Sequence, residues 1–377
     1  MFTTTAKMFA PGKVLYSSAA LYASTTAFAA AWVCYALPAT HNKVGPFNYH
    51  RVGKASRKGI ERVVSQLTHS HKALSNLANT LLPAMEAPSQ SALITGGASG
   101  MGLAVAQALA SRGGWKLHLL DLRPPLENVE NATFHLVNIL DYDALSSTFQ
   151  KVFDSDNRLD FVFANAGIVE RFDFYQAHPA GKPPPPPDQT VIDINLKAVI
   201  NTSWLAQHYF RQSPHSENKN LVMTSSVGGF YRCQVSPSYC ASKHGVVGLM
   251  RSIAPFYYKD KTINARVNSI NPGTVKTNLL DAAAWATFED DVFVPIEKIA
   301  STVLMLIDGH DVGGTGLDGK PLHSETNGAN GSSSEKLWGK AVELSGRKHY
   351  YRDQPAYCDD HMAKCMLATE RTSYNEL

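Results

Sequence analysis

The chain has 377 residues, 44% apolar and 18% charged, proportions ordinary for one large soluble α/β domain with appendages. Its net charge of +3 is the difference between two unlike parts: residues 1–84 carry nine Lys/Arg against Glu61 alone, and the remainder carries 26 Lys/Arg against 31 Asp/Glu. The charge therefore gives no reason to expect a nucleic-acid partner, and the five cysteines (Cys34, Cys233, Cys240, Cys358, Cys365) show neither CxxC nor zinc spacing with His, which excludes a disulfide framework and fits a reducing compartment.

The first element is an extension over residues 1–84. Val14 to Leu37 contains no charge and is long enough to cross a bilayer, although its Ala, Ser and Thr content makes insertion marginal. The positive residues after it (Lys43, Arg51, Lys54, Arg57, Lys58) outnumber Lys7 and Lys13 before it, an orientation that leaves the rest of the chain cytoplasmic. The same acid-free composition suits a leader for organelle import, and a domain starting at Met85 would lose no strand, so the extension reads as anchor, import leader or dispensable segment. Apolar residues from Ile60 to Leu82 recur at helical spacing and stop at Pro83. This basic amphipathic helix over 60–82 suits packing on the domain or contact with an anionic membrane surface.

The catalytic domain is expected over 85–334, with a surface tail at 335–377. Ala92 to Ile94 reads as a buried strand that runs into Thr95-Gly96-Gly97-Ala98-Ser99-Gly100-Met101-Gly102 and then a helix through Arg112. Small residues at a strand-to-helix turn let the backbone approach a pyrophosphate, and the helix N-terminus supplies free N–H groups. A literal GxGxxG at Gly314, Gly316 and Gly319 lacks a strand before it and a helix after it, and reads as a loop. The strand Lys116 to Leu120 ends at Asp121, where a carboxylate accepts from ribose hydroxyls and repels a 2′-phosphate. NAD is favoured over NADP, with Arg123 as the counter-signal. Pro183 to Pro187 reads as a stiff loop before a helix rather than a polyproline ligand.

The densest chemistry lies between Leu221 and Arg251. Ser226 ends an apolar strand, and Tyr239 and Lys243, four apart on a helix, share one face. An ammonium roughly 4–5 Å from a phenol, at an effective dielectric constant of about 20, is worth about 3–4 kcal/mol and would bring the Tyr pKa towards neutrality. Ser226 would hold a substrate oxygen beside the phenol. The YxxxK spacing recurs at Tyr257 and Lys261, where the helix runs out and no strand-ending Ser precedes it, so that pair reads as a solvated helix end. Asn278 to Phe293 is apolar and aromatic and reads as a lid, forming with Phe230 and Tyr231 a hydrophobic pocket in which Trp285 and Phe288 are either lining or core. Asp359, Asp360, His361 and Cys365 have no second cluster to complete a metal site, so no metal is expected.

The Ser226, Tyr239, Lys243 spacing and the run YCASKHGVVGLMRS resemble the short-chain dehydrogenase/reductase superfamily, and within it the hydroxyprostaglandin dehydrogenase branch, over roughly residues 90 to 325. The resemblance implies a doubly wound, Rossmann-type α/β domain with a parallel sheet, and hydride transfer between a nicotinamide and a secondary alcohol or ketone of a hydrophobic small molecule. Residue by residue it implies a tetrad of Ser226, Tyr239, Lys243 and Asn195, the last holding a water on Lys243. Cofactor contacts are implied at Gly96, Ser99, Gly100, Met101, Gly102, Asp121, Asn138, Ile139, Asn165, Ala166 and Gly167. Further contacts are implied at Tyr239, Lys243, Pro272, Gly273, Val275 and Thr277. Ala164 replaces the first Asn of the family's NNAG, and Asn138 stands where the family has an adenine-contacting Asp. The resemblance also implies a homodimer or tetramer, paired through Gly245, Val246, Gly248 and Leu249. The rivals are an NADPH-dependent ketoreductase with the same tetrad and a nucleotide-sensing protein that keeps the fold without the chemistry; a complete tetrad counts against the second.

Overall fold

A computed structural model describes residues 89–214, 219–311, 314–315, 321–322 and 336–370. The expected segments 14–37 and 60–82 lie outside the described residues; among those described, no helix is long and apolar enough to cross a membrane.

The chain alternates strand and helix. β1 (Gln90–Thr95), α1 (Gly100–Arg112), β2 (Trp115–Asp121), β3 (Ala132–Leu136), α2 (Tyr142–Asp156) and β4 (Phe161–Ala164) form the first half. A helical turn (Thr190–Ile192) and a π-turn (Asp193–Lys197) lead into α3 (Ala198–Gln212), followed by β5 (Lys219–Thr224), α4 (Pro237–Lys259) and β6 (Ala265–Pro272). After them come α5 (Ala282–Trp285), α6 (Ile296–Asp308), β7 (Gly314–Thr315), β8 (Pro321–Leu322), β9 (Ala341–Ser345), β10 (Lys348–Tyr351) and α7 (Asp360–Leu367). Eight strands form one sheet in the order β10-β9-β6-β5-β4-β1-β2-β3, parallel throughout except for β10, which runs antiparallel to β9.

Strands β4 and β5 are buried along their whole length, the pattern of a parallel sheet covered on both faces. Leu145, Phe149, Tyr209, Phe210, Val246 and Met250 pack on one face, and Val105, Leu109, Ile299, Val303 and Leu306 on the other. Sequence order reverses between β1, which pairs with β2, and β4. Such a switch point opens a crevice at the carboxyl ends of the strands, where ligands bind.

Four expectations are corrected. Residues 335–377 are not all surface tail: β9 is a buried parallel strand registered with Ser269–Pro272, and β10 extends the sheet beyond it. The signal was hidden because Glu343 interrupts the apolar run AVELS, and its partners, Tyr231 and Arg352, are remote or lie past the next turn. At the second glycine motif, Gly314–Thr315 forms a short antiparallel ladder with Pro321–Leu322 rather than an unpaired loop; Gly316 and Gly319 lie outside the described residues. Tyr257 is core rather than solvated, 4% exposed, with its hydroxyl donating to the Ser203 carbonyl at 2.9 Å. Of the expected pairing stripe, Val246 is fully buried, and a side chain at Gly245 would strike Leu196 of the same chain at 2.7 Å.

Candidate active site

The glycine turn leaves backbone bare where β1 becomes α1. Gly96 and Gly100 take φ of +64° and +53°, the left-handed region that favours glycine. A Cβ at Gly102 would lie 2.2 Å from the Gly96 carbonyl oxygen, so no side chain fits between turn and helix. Ser99, the N-cap of α1, makes no side-chain capping bond, and no acid occupies the first turn. The first N–H groups of α1, with half-buried Met101, thus form a cradle suited to a pyrophosphate. Asn165, at the end of β4, steadies it by donating to the carbonyls of Thr95 (3.2 Å) and Gly96 (3.3 Å) and accepting from Thr224 Oγ1 (3.1 Å). Its neighbour Ala166 lies against Gly96, where a Cβ would come within 2.9 Å of the Ala166 Cα.

Asp121 ends β2 above this turn. Its Oδ2 accepts from the Ala98 N–H at 3.1 Å and its Oδ1 from the Leu122 N–H at 2.7 Å, so the carboxylate faces the turn rather than bulk water. Arg123 is exposed. Asn138 is also exposed, with Oδ1 accepting from the Leu140 N–H at 3.1 Å, while Ile139 packs on the core.

Ser226, Tyr239 and Lys243 come together beyond the end of β5. Ser226 caps a single 3-10 turn, Val227–Gly229, with Oγ accepting from the Gly228 N–H at 3.1 Å. Lys243 is 3% exposed; its Nζ lies 5.6 Å from the Tyr239 ring centroid and donates to the Thr224 carbonyl at 2.9 Å. Burial pushes the Tyr239 phenol above its ordinary value, with the Ser226 hydrogen bond opposing. Burial also pulls Lys243 down to about 8. The expected lowering of the phenol by Lys243 is thus corrected: desolvation of the ring outweighs a cation that is itself desolvated and engaged elsewhere. In this arrangement Tyr239 keeps its proton at neutral pH and is poised as a donor.

Asn195 lies within the π-turn that precedes α3, a distortion that recurs at functional sites. Its side-chain amide is committed: Oδ1 accepts from the Ile168 N–H and Nδ2 donates to the Ile168 carbonyl, both at 2.9 Å. A Cβ at Gly167 would lie 3.1 Å from Asn195 Oδ1 and 3.5 Å from Lys243 Nζ, which places Gly167, Asn195 and Lys243 in one cluster.

The Pro272–Thr277 segment crosses the mouth of the cradle. The Pro272 carbonyl accepts from Ser226 Oγ at 3.4 Å, the Gly273 N–H donates to the Leu344 carbonyl at 2.9 Å, Val275 is buried, and Thr277 abuts Gly100. Trp285 closes the segment, its indole N–H donating to the Thr277 carbonyl at 2.8 Å and its ring packed with Phe288 and Phe293. Trp285 is therefore packed inside the segment, whereas Phe288 is 41% exposed on its surface.

Two contacts escaped the sequence reading. Ser236, the N-cap of α4, gives no side-chain cap; instead Glu170 Oε2 accepts from the Tyr239 N–H at 2.9 Å and pins the head of the helix to the loop after β4. Tyr231 is not simply a pocket wall, because its hydroxyl donates to Glu343 Oε2 at 3.1 Å and accepts from Arg352 at 2.9 Å. Both join residues far apart in the chain, and no local signal marks them.

The family model for short chain dehydrogenase matches residues 90–286. The chain is 43% identical over 280 residues to Short-chain dehydrogenase/reductase prx7 of Penicillium rubens, covering 71% of this chain and 96% of that protein. It is 31% identical over 201 residues to 15-hydroxyprostaglandin dehydrogenase [NAD(+)] of Rattus norvegicus, covering 51% of this chain and 70% of that one. Among solved structures, a 3-oxoacyl-[acyl-carrier protein] reductase from Brucella melitensis in complex with NAD shares the fold, with a TM-score of 0.50 at 21% identity over 58% of this chain and 90% of the other. The chain belongs to the short-chain dehydrogenase family and is an oxidoreductase with a Rossmann-type fold.

Proposed function

We propose that this short-chain dehydrogenase interconverts a secondary alcohol and a ketone on an apolar small molecule, with NAD as its cofactor. The observation that carries the reading is the meeting of Ser226, Tyr239, Lys243 and Asn195 at the carboxyl ends of β4 and β5, beside the bare glycine turn. A nicotinamide held between that turn and Pro272–Thr277 would give or take the hydride. Ser226 holds the substrate oxygen, and Tyr239 donates its proton to that oxygen during reduction or removes it during oxidation. Lys243 stabilises the phenolate left by donation, and the backbone carbonyl of Asn195 holds a water through which Lys243 exchanges its proton with solvent.

Asp121 supports NAD: a carboxylate above the turn accepts from ribose hydroxyls and repels a 2′-phosphate. The name of the Rattus norvegicus relative points the same way. Exposed Arg123, just past β2, favours NADP as the second reading. The apolar lid (Leu279, Phe288, Val292) supports a lipid-like, steroid-like or aromatic substrate. Exposed Ile200 (43%) and Trp204 (63%) on α3, with open space at Gly248 on α4, support subunit pairing through these two helices.

The test follows the absorbance of reduced nicotinamide with NAD and with NADP over a panel of such alcohols. Tyr239→Phe is expected to abolish turnover and leave NAD binding intact. More than a few per cent of residual activity would remove Tyr239 from its role.

A further inference from the structure

Tyr239 is the third residue of α4, and the head of that helix has no cap of its own. Ser236, at the N-cap, makes no side-chain bond, Pro237 brings no N–H, and no acid lies in the first turn. The Tyr239 N–H is taken by a remote carboxylate instead, Glu170 Oε2 at 2.9 Å. Glu170 Oε1 is buried and has no hydrogen-bond partner among the described residues, so the grip on Tyr239 is the carboxylate's one hydrogen bond among them. The Tyr239 carbonyl is held as well: Ser242 Oγ donates to it at 2.6 Å, and Asn195 Nδ2 donates to Ser242 Oγ at 3.3 Å. Asn195 is bonded in both directions to Ile168, two residues before Glu170. A ring of hydrogen bonds thus runs from Glu170 through the Tyr239 backbone, Ser242 and Asn195 to Ile168, and closes along the loop after β4. On the side-chain side, a Cβ at Gly228 would lie 3.5 Å from Tyr239 Cε1 and 3.6 Å from Ser226 Oγ, so the phenol ring and the Ser226 hydroxyl both border Gly228.

We propose that Glu170 is a positioning residue for the reaction: through the Tyr239 N–H it sets where the phenol stands relative to Ser226 and Lys243. The inference rests on the proton-transfer role given to Tyr239 above. Glu170 acts through the backbone of Tyr239 and not on the reacting atoms. Without its carboxylate the ring of hydrogen bonds opens at the head of α4, and the phenol loses its fixed place beside Ser226. A misplacement of about 1 Å costs on the order of 100-fold in rate. The glycine turn between β1 and α1 is built by other residues and keeps its shape, so the loss falls on kcat and spares the binding of NAD.

The experiment compares the full-length parent with Glu170→Ala and with Glu170→Gln, which keeps an acceptor oxygen at the same reach. Turnover and KM for NAD are followed by the absorbance of reduced nicotinamide, with the alcohol of the panel that the parent oxidises fastest. Amide hydrogen exchange is read in parallel over the first two turns of α4. Glu170→Ala is expected to lower kcat about 10–100-fold at an unchanged KM for NAD, to raise the solvent deuterium isotope effect on kcat, and to speed exchange at the head of α4. Glu170→Gln is expected to stay within about fivefold of the parent in kcat, with parental exchange. Should Glu170→Ala not fold, Glu170→Asp takes its place, since it keeps the charge but falls one methylene short of the Tyr239 N–H. Parental kcat in Glu170→Ala overturns the proposal whatever its melting temperature, and so does an equal loss of kcat in Glu170→Gln. A raised KM for NAD at parental kcat overturns it too, because Glu170 would then serve the cofactor. Failure of the proposed function looks different: the parent does not turn over, or Tyr239→Phe keeps its activity. Hydrogen exchange needs neither cofactor nor substrate, and unchanged exchange in Glu170→Ala removes the hold on Tyr239 in either case.

Discussion

Replacing Lys243 by Met is expected to end turnover and, at neutral pH, to make the protein more stable. Burial alone brings this side chain from its ordinary 10.5 to about 8. At about 1.4 kcal/mol per unit, holding its charge inside the fold costs about 3 kcal/mol. For a base lowered in the folded state, the unfolded chain binds the proton more tightly between the two values. The penalty is therefore complete below pH 8 and fades as the pH rises towards 10.5. Met has a similar reach and no charge, but it strips the Thr224 carbonyl of its 2.9 Å donor, a loss of about 1–2 kcal/mol. The variant should gain about 1–2 kcal/mol at pH 7 and lose that advantage, or reverse it, by pH 10. Urea unfolding of both proteins at the two pH values measures this difference. Lys298, also drawn down to about 8 by burial, is present in both proteins and cancels. A variant less stable than the parent by the same margin at both pH values would refute the reasoning, because the Lys243 charge would then carry no burial cost.

Asp121→Ala should narrow or reverse the preference for NAD, as measured by kcat/KM with each cofactor; a parent protein that already prefers NADPH would refute the role given to Asp121. Tyr257→Phe should cost about 1 kcal/mol of stability by removing the hydrogen bond to the Ser203 carbonyl, while turnover stays at the parent level. Lost turnover without lost stability would place the second YxxxK pair in the chemistry. Light scattering at micromolar concentration should report a dimer or tetramer, and Trp204→Glu should drive it towards monomer; a monomeric parent would remove α3 and α4 as the pairing face.

The elements around the site were legible because their signals are local. A glycine-rich turn between an apolar strand and a helix is a short-range pattern, and Tyr239 and Lys243 share a face through helical periodicity alone. β9 was not legible. A strand buried at the edge of a parallel sheet needs only a few apolar residues, and Glu343 breaks its run at the centre; the partners that neutralise it are known only after folding. Tyr257 was misread for a related reason: the residues before Lys259 look like a fraying end, yet α3 lies over that turn and buries the ring.

The sequence by itself determined the kind of fold, the place of the glycine turn and the residue types available for proton transfer, because these follow from backbone geometry and from spacing within one element. Tertiary structure decided the protonation balance at Tyr239, since desolvation depends on what packs around the ring and outweighs a neighbour four residues away. It also decided what holds the head of α4: Glu170 reaches the Tyr239 N–H across 69 residues of chain, in place of the absent side-chain cap from Ser236. A contact of that range depends on how β4 and α4 are placed in the sheet, which no stretch of either element encodes alone.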